Sequence, residues 1–403
     1  MEYQSADLRI LARRTRRSTE AEPYFNADAA AAALRFHRSL PAYAPTPLLS
    51  LSALAAARAV RDILVKDESR RFGLKAFKGL GGSYAMFRVL CEKLSLDPAR
   101  ADFGTFLDPA LRAKCAALTF AAATDGNHGR GISWAAKLFG CRARIYMPAG
   151  SAEARRRAIE SAGSASAEIT PFNYDRTVDY ARTEAGAHGW ILLQDTAWAG
   201  YTLYPRWIIQ GYLTLAAELF RQLGDTRPTH VFLQAGVGAM AGGMAASLLD
   251  HWRAAPPAIA VAESAAADCI FRSARIGDGA AHSVAGDPVT IMAGLNCGTP
   301  CPITWPILRD RASFYCACGD AVAEAGMRLY ARPMPGDAAI VSGESGAVTL
   351  GLVDAILGDA ALRKLFRMGS ESTILLLNTE GDTDPAGYAR VLGTLDKVLP
   401  GLA

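Results

Sequence analysis

From Asp62 onward the chain alternates short apolar runs with longer stretches in which apolar residues recur every three or four positions. Ile63-Leu64-Val65, Ala117-Leu118-Thr119-Phe120, Ala143 to Met147, His230-Val231-Phe232-Leu233, Ile259-Ala260-Val261 and Thr373 to Leu377 read as strands. They are short and rich in branched or aromatic side chains. Gly129 to Phe139, Ala152 to Ser161, Trp207 to Phe220 and Ala239 to Trp252 carry the helical period. The alanine runs Ala29 to Ala33 and Ala53 to Ala57 add helix, since alanine has the highest helix propensity. Strands alternating with helices predict an α/β fold with parallel sheets covered on both faces. Ligands in such folds bind beyond the carboxyl ends of strands, where glycine-rich loops enter helices.

Composition narrows this only a little. A chain of 403 residues is long for one core, so two lobes are expected. With 51% apolar and 20% charged residues it is an ordinary globular sequence. A net charge of +4 gives no electrostatic case for nucleic acid. The basic run Arg13-Arg14-Thr15-Arg16-Arg17 has no interleaved aromatics and reads as a solvated arm. The first twenty residues carry no secretory apolar stretch, and no run is long enough to span a membrane, so the cytoplasm is expected. Eight scattered cysteines suit a reducing compartment. Cys297 with Cys301 and Cys316 with Cys318 lack paired zinc spacing and have no nearby histidine, so no metal is expected. A single bridge such as Cys269 to Cys297 stays open on sequence alone.

Two places carry chemistry. The strand Thr229 to Gln234 runs into Ala235-Gly236-Val237-Gly238-Ala239-Met240 and then a helix. Strand, glycine turn and helix start make an anion site, because free N–H groups and the helix dipole both favour negative charge. A tight turn for close packing is the plainer alternative. Gly236-Val237-Gly238 also suits a dinucleotide fold, although Ala241 stands at the third glycine place; Glu263, after the next strand, keeps a nicotinamide dehydrogenase open. No Gly-Lys-Ser/Thr follows, which excludes a P-loop. The second place is Phe72-Gly73-Leu74-Lys75-Ala76-Phe77-Lys78-Gly79-Leu80-Gly81-Gly82-Ser83. A lysine that bonds to an aldehyde must reach it from a fixed backbone and give up its proton easily. Lys78, at a helix start beside Phe77 and glycines that would let a flat ring approach, meets that need.

The run Phe72 to Lys78 resembles the lysine motif of fold-type II pyridoxal phosphate (PLP) enzymes, the group with threonine dehydratases and serine racemases, and more closely the diaminopropionate ammonia-lyases. Ala123-Thr124-Asp125-Gly126-Asn127-His128-Gly129-Arg130-Gly131, Gln194 to Trp198, Gln234 to Gly243, Ser342 to Ala347 and Thr379 to Thr383 resemble further motifs of that family, in family order, from about Tyr43 to Tyr388. One departure is Lys75, where the ammonia-lyases usually carry asparagine.

The resemblance implies a two-lobed architecture, with a small lobe at 84–200 and a large one from 1–83 and 201–403, and a homodimer. It implies PLP on Lys78, flanked by Phe77, with Asn127 at the ring hydroxyl and Thr379 at the pyridine nitrogen. Gly236, Val237, Gly238, Ala239 and Met240 would hold the phosphate. Asp125 would act as acid/base on the ring face opposite Lys78, although Thr-Asp-Gly-Asn also suits a helix cap. Asp195, after the apolar run Trp190 to Gln194, would bind a cationic 3-amino group, or cap a helix. Thr124, His128, Glu344 and Ser345 would line the substrate pocket. The implied reaction is α,β-elimination of 2,3-diaminopropionate, L and D, to pyruvate and two ammonia. Serine, threonine or another β-substituted amino acid is the nearest alternative substrate.

Overall fold

The computed structural model describes residues 1–15, 22–124, 126–286 and 288–393. Asp125, Arg16 and Arg17 lie outside the described residues. The chain divides into two compact units, one of Met1–Ala21, Thr46–Arg70 and Leu219–Ala403, the other of Glu22–Pro45 and Arg71–Glu218. Strands in chain order are β1 (Glu2–Gln4), β2 (Leu8–Ala12), β3 (Leu48–Ser50), β4 (Asp62–Asp67), β5 (Thr119–Ala123), β6 (Arg142–Met147), β7 (Ala165–Ile169), β8 (Ile191–Leu192), β9 (His230–Gln234), β10 (Ala258–Ser264), β11 (Phe314–Cys318) and β12 (Thr373–Asn378).

The first unit holds an eight-stranded sheet in the order β1-β2-β11-β10-β9-β12-β4-β3. Its five central strands are parallel, and β1, β2 and β3 join the edges antiparallel. Every residue of β9, β11 and β12 is buried, which is why they read as unbroken apolar runs. Ile63, Val65, Phe232, Ile374 and Leu376 pack in one core with Val348, Leu352 and Ile356 of the helix Glu344–Gly358. That helix lies against Asp320–Ala331 so closely that side chains are excluded. A Cβ on Gly351 would sit 1.9 Å from the Val322 carbonyl oxygen, and one on Gly326 2.1 Å from that of Ala347. Arg13, though exposed, donates from Nη2 to the Ala274 carbonyl at the end of the helix Cys269–Ile276, so it is not wholly solvated as the sequence suggested.

The second unit holds a four-stranded, all-parallel sheet in the order β7-β6-β5-β8. The expected helix at 207–220 is divided into Leu203–Tyr212 and Thr214–Leu223. At the break the Leu213 N–H bonds back to Gln210, and the Thr214 hydroxyl lies 2.6 Å from Nδ1 of the buried His37. Among the described residues no single helix is long and apolar enough to cross a membrane.

Candidate active site

In the four-stranded unit, Lys78 opens the helix Lys78–Lys93. The loop before it is twisted: Phe72, Gly73 and Lys75 all lie in the left-handed region, with φ of 53°, 71° and 55°. For Phe72 and Lys75 that conformation carries strain, so packing must hold it. The Phe72 ring stacks on Trp134 with centroids 4.4 Å apart. Arg71, fully buried, donates to Glu218 through both terminal nitrogens at 2.9 and 2.8 Å and to the Ala44 carbonyl. The paired fork geometry fixes the loop's first residue in place. Phe77 is buried with its ring 4.8 Å from that of Tyr212. The glycines after Lys78 do not open a face for a flat ring, as the sequence suggested. They are filled by the protein itself: Gly81 faces the Tyr212 ring, Gly79 faces Leu74 and Phe72, and Gly82 lies against Gly131.

The Lys78 Nζ donates to Asp195 Oδ2 at 2.5 Å. Asp195 emerges just past β8, as the apolar run before it suggested. Lys78, rather than Lys75, makes the recorded contact with this carboxylate. His128 sits in the first turn of the helix Asn127–Phe139 and is buried. Its Nε2 lies 2.8 Å from the Leu193 carbonyl, and its Nδ1 lies 3.8 Å from Asp195 Oδ2. Burial, aided by the charge of Lys78, lowers the His128 pKa, so the ring is neutral near pH 7. Burial alone would raise the Asp195 carboxyl, but at acid pH the charges of protonated His128 and of Lys78 together bring it down to about 2. With the imidazole neutral, the Lys78 ammonium is the charge that keeps Asp195 ionised.

The neighbouring residues are held by backbone contacts. The Thr124 hydroxyl accepts from the N–H groups of Gly126 at 3.0 Å and Gly129 at 3.4 Å, at the start of the helix Asn127–Phe139. Asn127 is half-buried at the helix start. No separate role was expected of Gln194. Its Oε1 accepts from the Ala123 N–H and its Nε2 donates to the Ala123 carbonyl, both at 2.9 Å. The β5–β8 ladder ends with Leu193 N–H bonded to Ala121. Beyond it the Gln194 backbone turns away, its N–H going to the Tyr201 hydroxyl, while its carboxamide takes the place of the missing strand. Tyr201 closes the turn by donating to the Leu192 carbonyl.

In the eight-stranded unit, β9 leads through Gly236, Val237 and Gly238 into the helix Ala239–His251. Gly238 is the N-cap, with φ of 83°, and no side chain caps the helix. Ala239 and Met240 begin it, and a helix start without a side-chain cap leaves first-turn N–H groups that suit an anion. Gln234, at the end of β9, donates from Nε2 to the Leu377 carbonyl at 2.9 Å and to Thr379 Oγ1 at 3.0 Å. The Thr379 oxygen therefore accepts, and its own proton remains to be donated. Ser345 is engaged elsewhere: its Oγ accepts from the Gly294 N–H, and its N–H donates to Glu380. Glu344 opens the helix Glu344–Gly358 and is buried.

Two alternatives from the sequence fall here. Glu263 is fully buried and accepts the N–H groups of Ile270 at 2.8 Å and Phe271 at 2.6 Å, capping a helix. Burial raises its pKa well above the ordinary value. It cannot bind a ribose, and the dehydrogenase reading loses its acidic residue. Cys269 and Cys297 are not joined by a disulfide; the Cys269 thiol lies 3.7 Å from the Gly236 carbonyl and 3.6 Å from that of Cys297.

These residues fit the PLP that the resemblance implies. An uncapped glycine-led helix start suits a phosphate, a hydroxyl with a proton to give suits an aromatic nitrogen, and a half-buried lysine at a helix start suits the aldehyde.

Comparison with known proteins agrees. A family model described as pyridoxal-phosphate dependent enzyme matches residues 40–380. The chain is 47% identical over 379 residues to the diaminopropionate ammonia-lyase of Escherichia coli strain K12, covering 93% of each. Among solved structures, the Escherichia coli diaminopropionate ammonia-lyase in complex with D-serine matches with a TM-score of 0.89 at 43% identity, covering 96% of both chains. The same enzyme in complex with an aminoacrylate-PLP azomethine reaction intermediate matches with a TM-score of 0.87 at 44% identity, covering 96% of this chain and 97% of that one.

Proposed function

The chain belongs to the pyridoxal-phosphate dependent enzyme family, and from that premise we propose that it is a carbon–nitrogen lyase converting 2,3-diaminopropionate and water to pyruvate and two ammonia. The observation that carries the reading is the half-buried contact of the Lys78 ammonium with Asp195, an amine site beside the lysine that would hold the cofactor.

When bound, PLP supplies an electron sink for the pair left at the substrate's α-carbon. The protein's residues do the rest. The loop from Gly236 to Met240 binds the phosphate at its helix start. Thr379, accepting from Gln234, would offer a neutral hydroxyl to the ring nitrogen, which would moderate the ring's pull on electrons and favour elimination over transamination. Asn127 orients the ring through its hydroxyl, and Phe77 flanks it. Lys78 Nζ would anchor the cofactor and would take the α-proton of the L-isomer. Asp125 takes that of the D-isomer from the opposite face. Asp195, ionised, holds the 3-amino group as ammonium until it leaves. Thr124, His128, Glu344 and Ser345 complete the pocket. The same reading takes the protein to be a cytoplasmic homodimer acting on a free amino acid, with no nucleic acid or membrane partner.

The test is a panel of diamino and hydroxy amino acids assayed for keto acid and ammonia together. Two ammonia per pyruvate from diaminopropionate supports the reading. One ammonia per keto acid, from serine or threonine alone, would replace it with a dehydratase. Asp125→Asn is expected to abolish D-substrate turnover while sparing much of the L-activity; equal loss on both isomers would refute the face assignment.

A further inference from the structure

We propose that His128 and Asp195 together form a socket for a primary ammonium, and that this socket selects substrates whose leaving group departs as ammonia. The inference rests on the elimination reading above and deepens it.

The His128 Nε2 points at the Leu193 carbonyl, a group that only accepts, so Nε2 carries the ring's proton. A neutral ring then has a bare lone pair at Nδ1. That atom is buried and makes no hydrogen bond to the protein. A buried acceptor without a donor is unfavourable, and such a group signals a missing partner. Nδ1 lies 3.8 Å from Asp195 Oδ2, so two acceptors converge on one small volume. The protein shows what it takes: Lys78 Nζ, a primary alkylammonium, sits 2.5 Å from that oxygen. Where Lys78 Nζ serves the cofactor and the α-proton instead, the substrate's 3-ammonium is a group of the same chemistry for the same acceptors.

The elimination makes this a selective device. The base removes the α-proton, the electron pair of that bond becomes the new Cα–C3 double bond, and the C3–N pair leaves with nitrogen. A protonated amine departs as neutral ammonia and needs no further proton. A hydroxyl would need one delivered as it leaves, and neither the ionised Asp195 nor the Nδ1 lone pair has one to give. Chloride needs neither a proton nor an ammonium socket, which makes β-chloroalanine the control.

The experiment compares holoenzyme kcat/KM for 2,3-diaminopropionate and β-chloroalanine by pyruvate release. His128→Gln keeps an amide donor for Leu193 but removes the Nδ1 acceptor; His128→Asn puts an amide oxygen near Nδ1. H128Q is expected to lower the diaminopropionate value about tenfold relative to β-chloroalanine, chiefly through KM, the size of one hydrogen bond to a charged group. H128N is expected to stay within about threefold of the parent ratio, since its oxygen restores that bond. An unchanged ratio in H128Q, or equal loss on both substrates, overturns the proposal. Should the variants not fold, the 15N-labelled parent holoenzyme titrated with ammonium chloride decides. A shift of the unprotonated His128 Nδ1 resonance supports the socket, and none at saturation overturns it. A parent enzyme that releases no pyruvate from diaminopropionate would instead sink the underlying reading, while this titration still reports on the socket.

Discussion

The carboxamide of Gln194 stands in for a strand, and replacing it tests how firmly the Asp195 turn is held. Gln194→Met keeps the chain length and bulk but removes both bonds to Ala123. Ala123 and Gln194 are fully buried, so water cannot replace what is lost. The Ala123 N–H faces Gln194 Oε1 and its carbonyl faces Nε2. Each buried group left unpaired is unfavourable by roughly 1–3 kcal/mol, so the two together destabilise this edge by about 2–6 kcal/mol. The third contact of Nε2, to the half-buried Tyr174 hydroxyl at 3.1 Å, adds little because water can reach that oxygen. Amide hydrogen exchange at Ala123 is the direct assay. At about 1.4 kcal/mol per factor of ten, its protection should drop at least about 30-fold. The Phe232 amide, in the other unit's sheet, serves as the internal control. Equal protection at Ala123 in the variant and the parent would refute the idea that this side chain completes the sheet.

Three further outcomes are expected. Gly351→Ala or Gly326→Ala should destabilise the eight-stranded unit by about 3 kcal/mol or leave it insoluble, since either methyl meets a backbone carbonyl that cannot swing away; urea unfolding measures this, and a change under 1 kcal/mol would contradict the packing. In cofactor-free protein the folded Asp195 carboxyl is depressed, from 3.8 to about 2. Its stabilisation, at most about 2 kcal/mol, is therefore present above pH 4 and lost as pH falls toward 2, which carboxyl 13C titration can follow. Glu263 has the opposite sign: its folded pKa is raised by burial, so its contribution is greatest below about 4.5 and declines as pH rises. Glu263→Gln, which cannot ionise, should gain stability relative to the parent between pH 5 and 8; a constant difference would show the buried carboxyl is not protonated in the fold.

The sequence made the central strands legible because each is buried on both faces, and apolar runs such as Thr373 to Leu377 have few other readings. The edges were less visible. In β7, half-buried and exposed residues alternate, and its Ala-Ser-Ala-Glu-Ile sequence has no apolar run to announce it. The charged pair Lys78–Asp195 was foreseen residue by residue from family motifs, but its contact was not, because 117 positions separate the partners. The glycines after Lys78 were misread, since a sequence shows only that a side chain is missing and not what occupies the space. The clamps were missed for a different reason. Gln194 and Gln234 each close an apolar run with an amide, a polar residue where burial would disfavour one. Such a residue at a strand's last position is the signal that could have found them.

The order of strands in the larger sheet has a consequence for biosynthesis. Among the described residues, the hairpin-like pair β3–β4 touches the rest of its sheet only through β12, the last strand described. Asn378 reaches back across 311 positions to hydrogen bond with Asp67. A ribosome making this protein therefore exposes an apolar β4 edge until the partner residue 311 positions later has been made. Long-range pairing of this kind is slow and prone to aggregation. Chaperone dependence during synthesis should accordingly be high, and circular permutation that places β12 just ahead of β4 should relieve it.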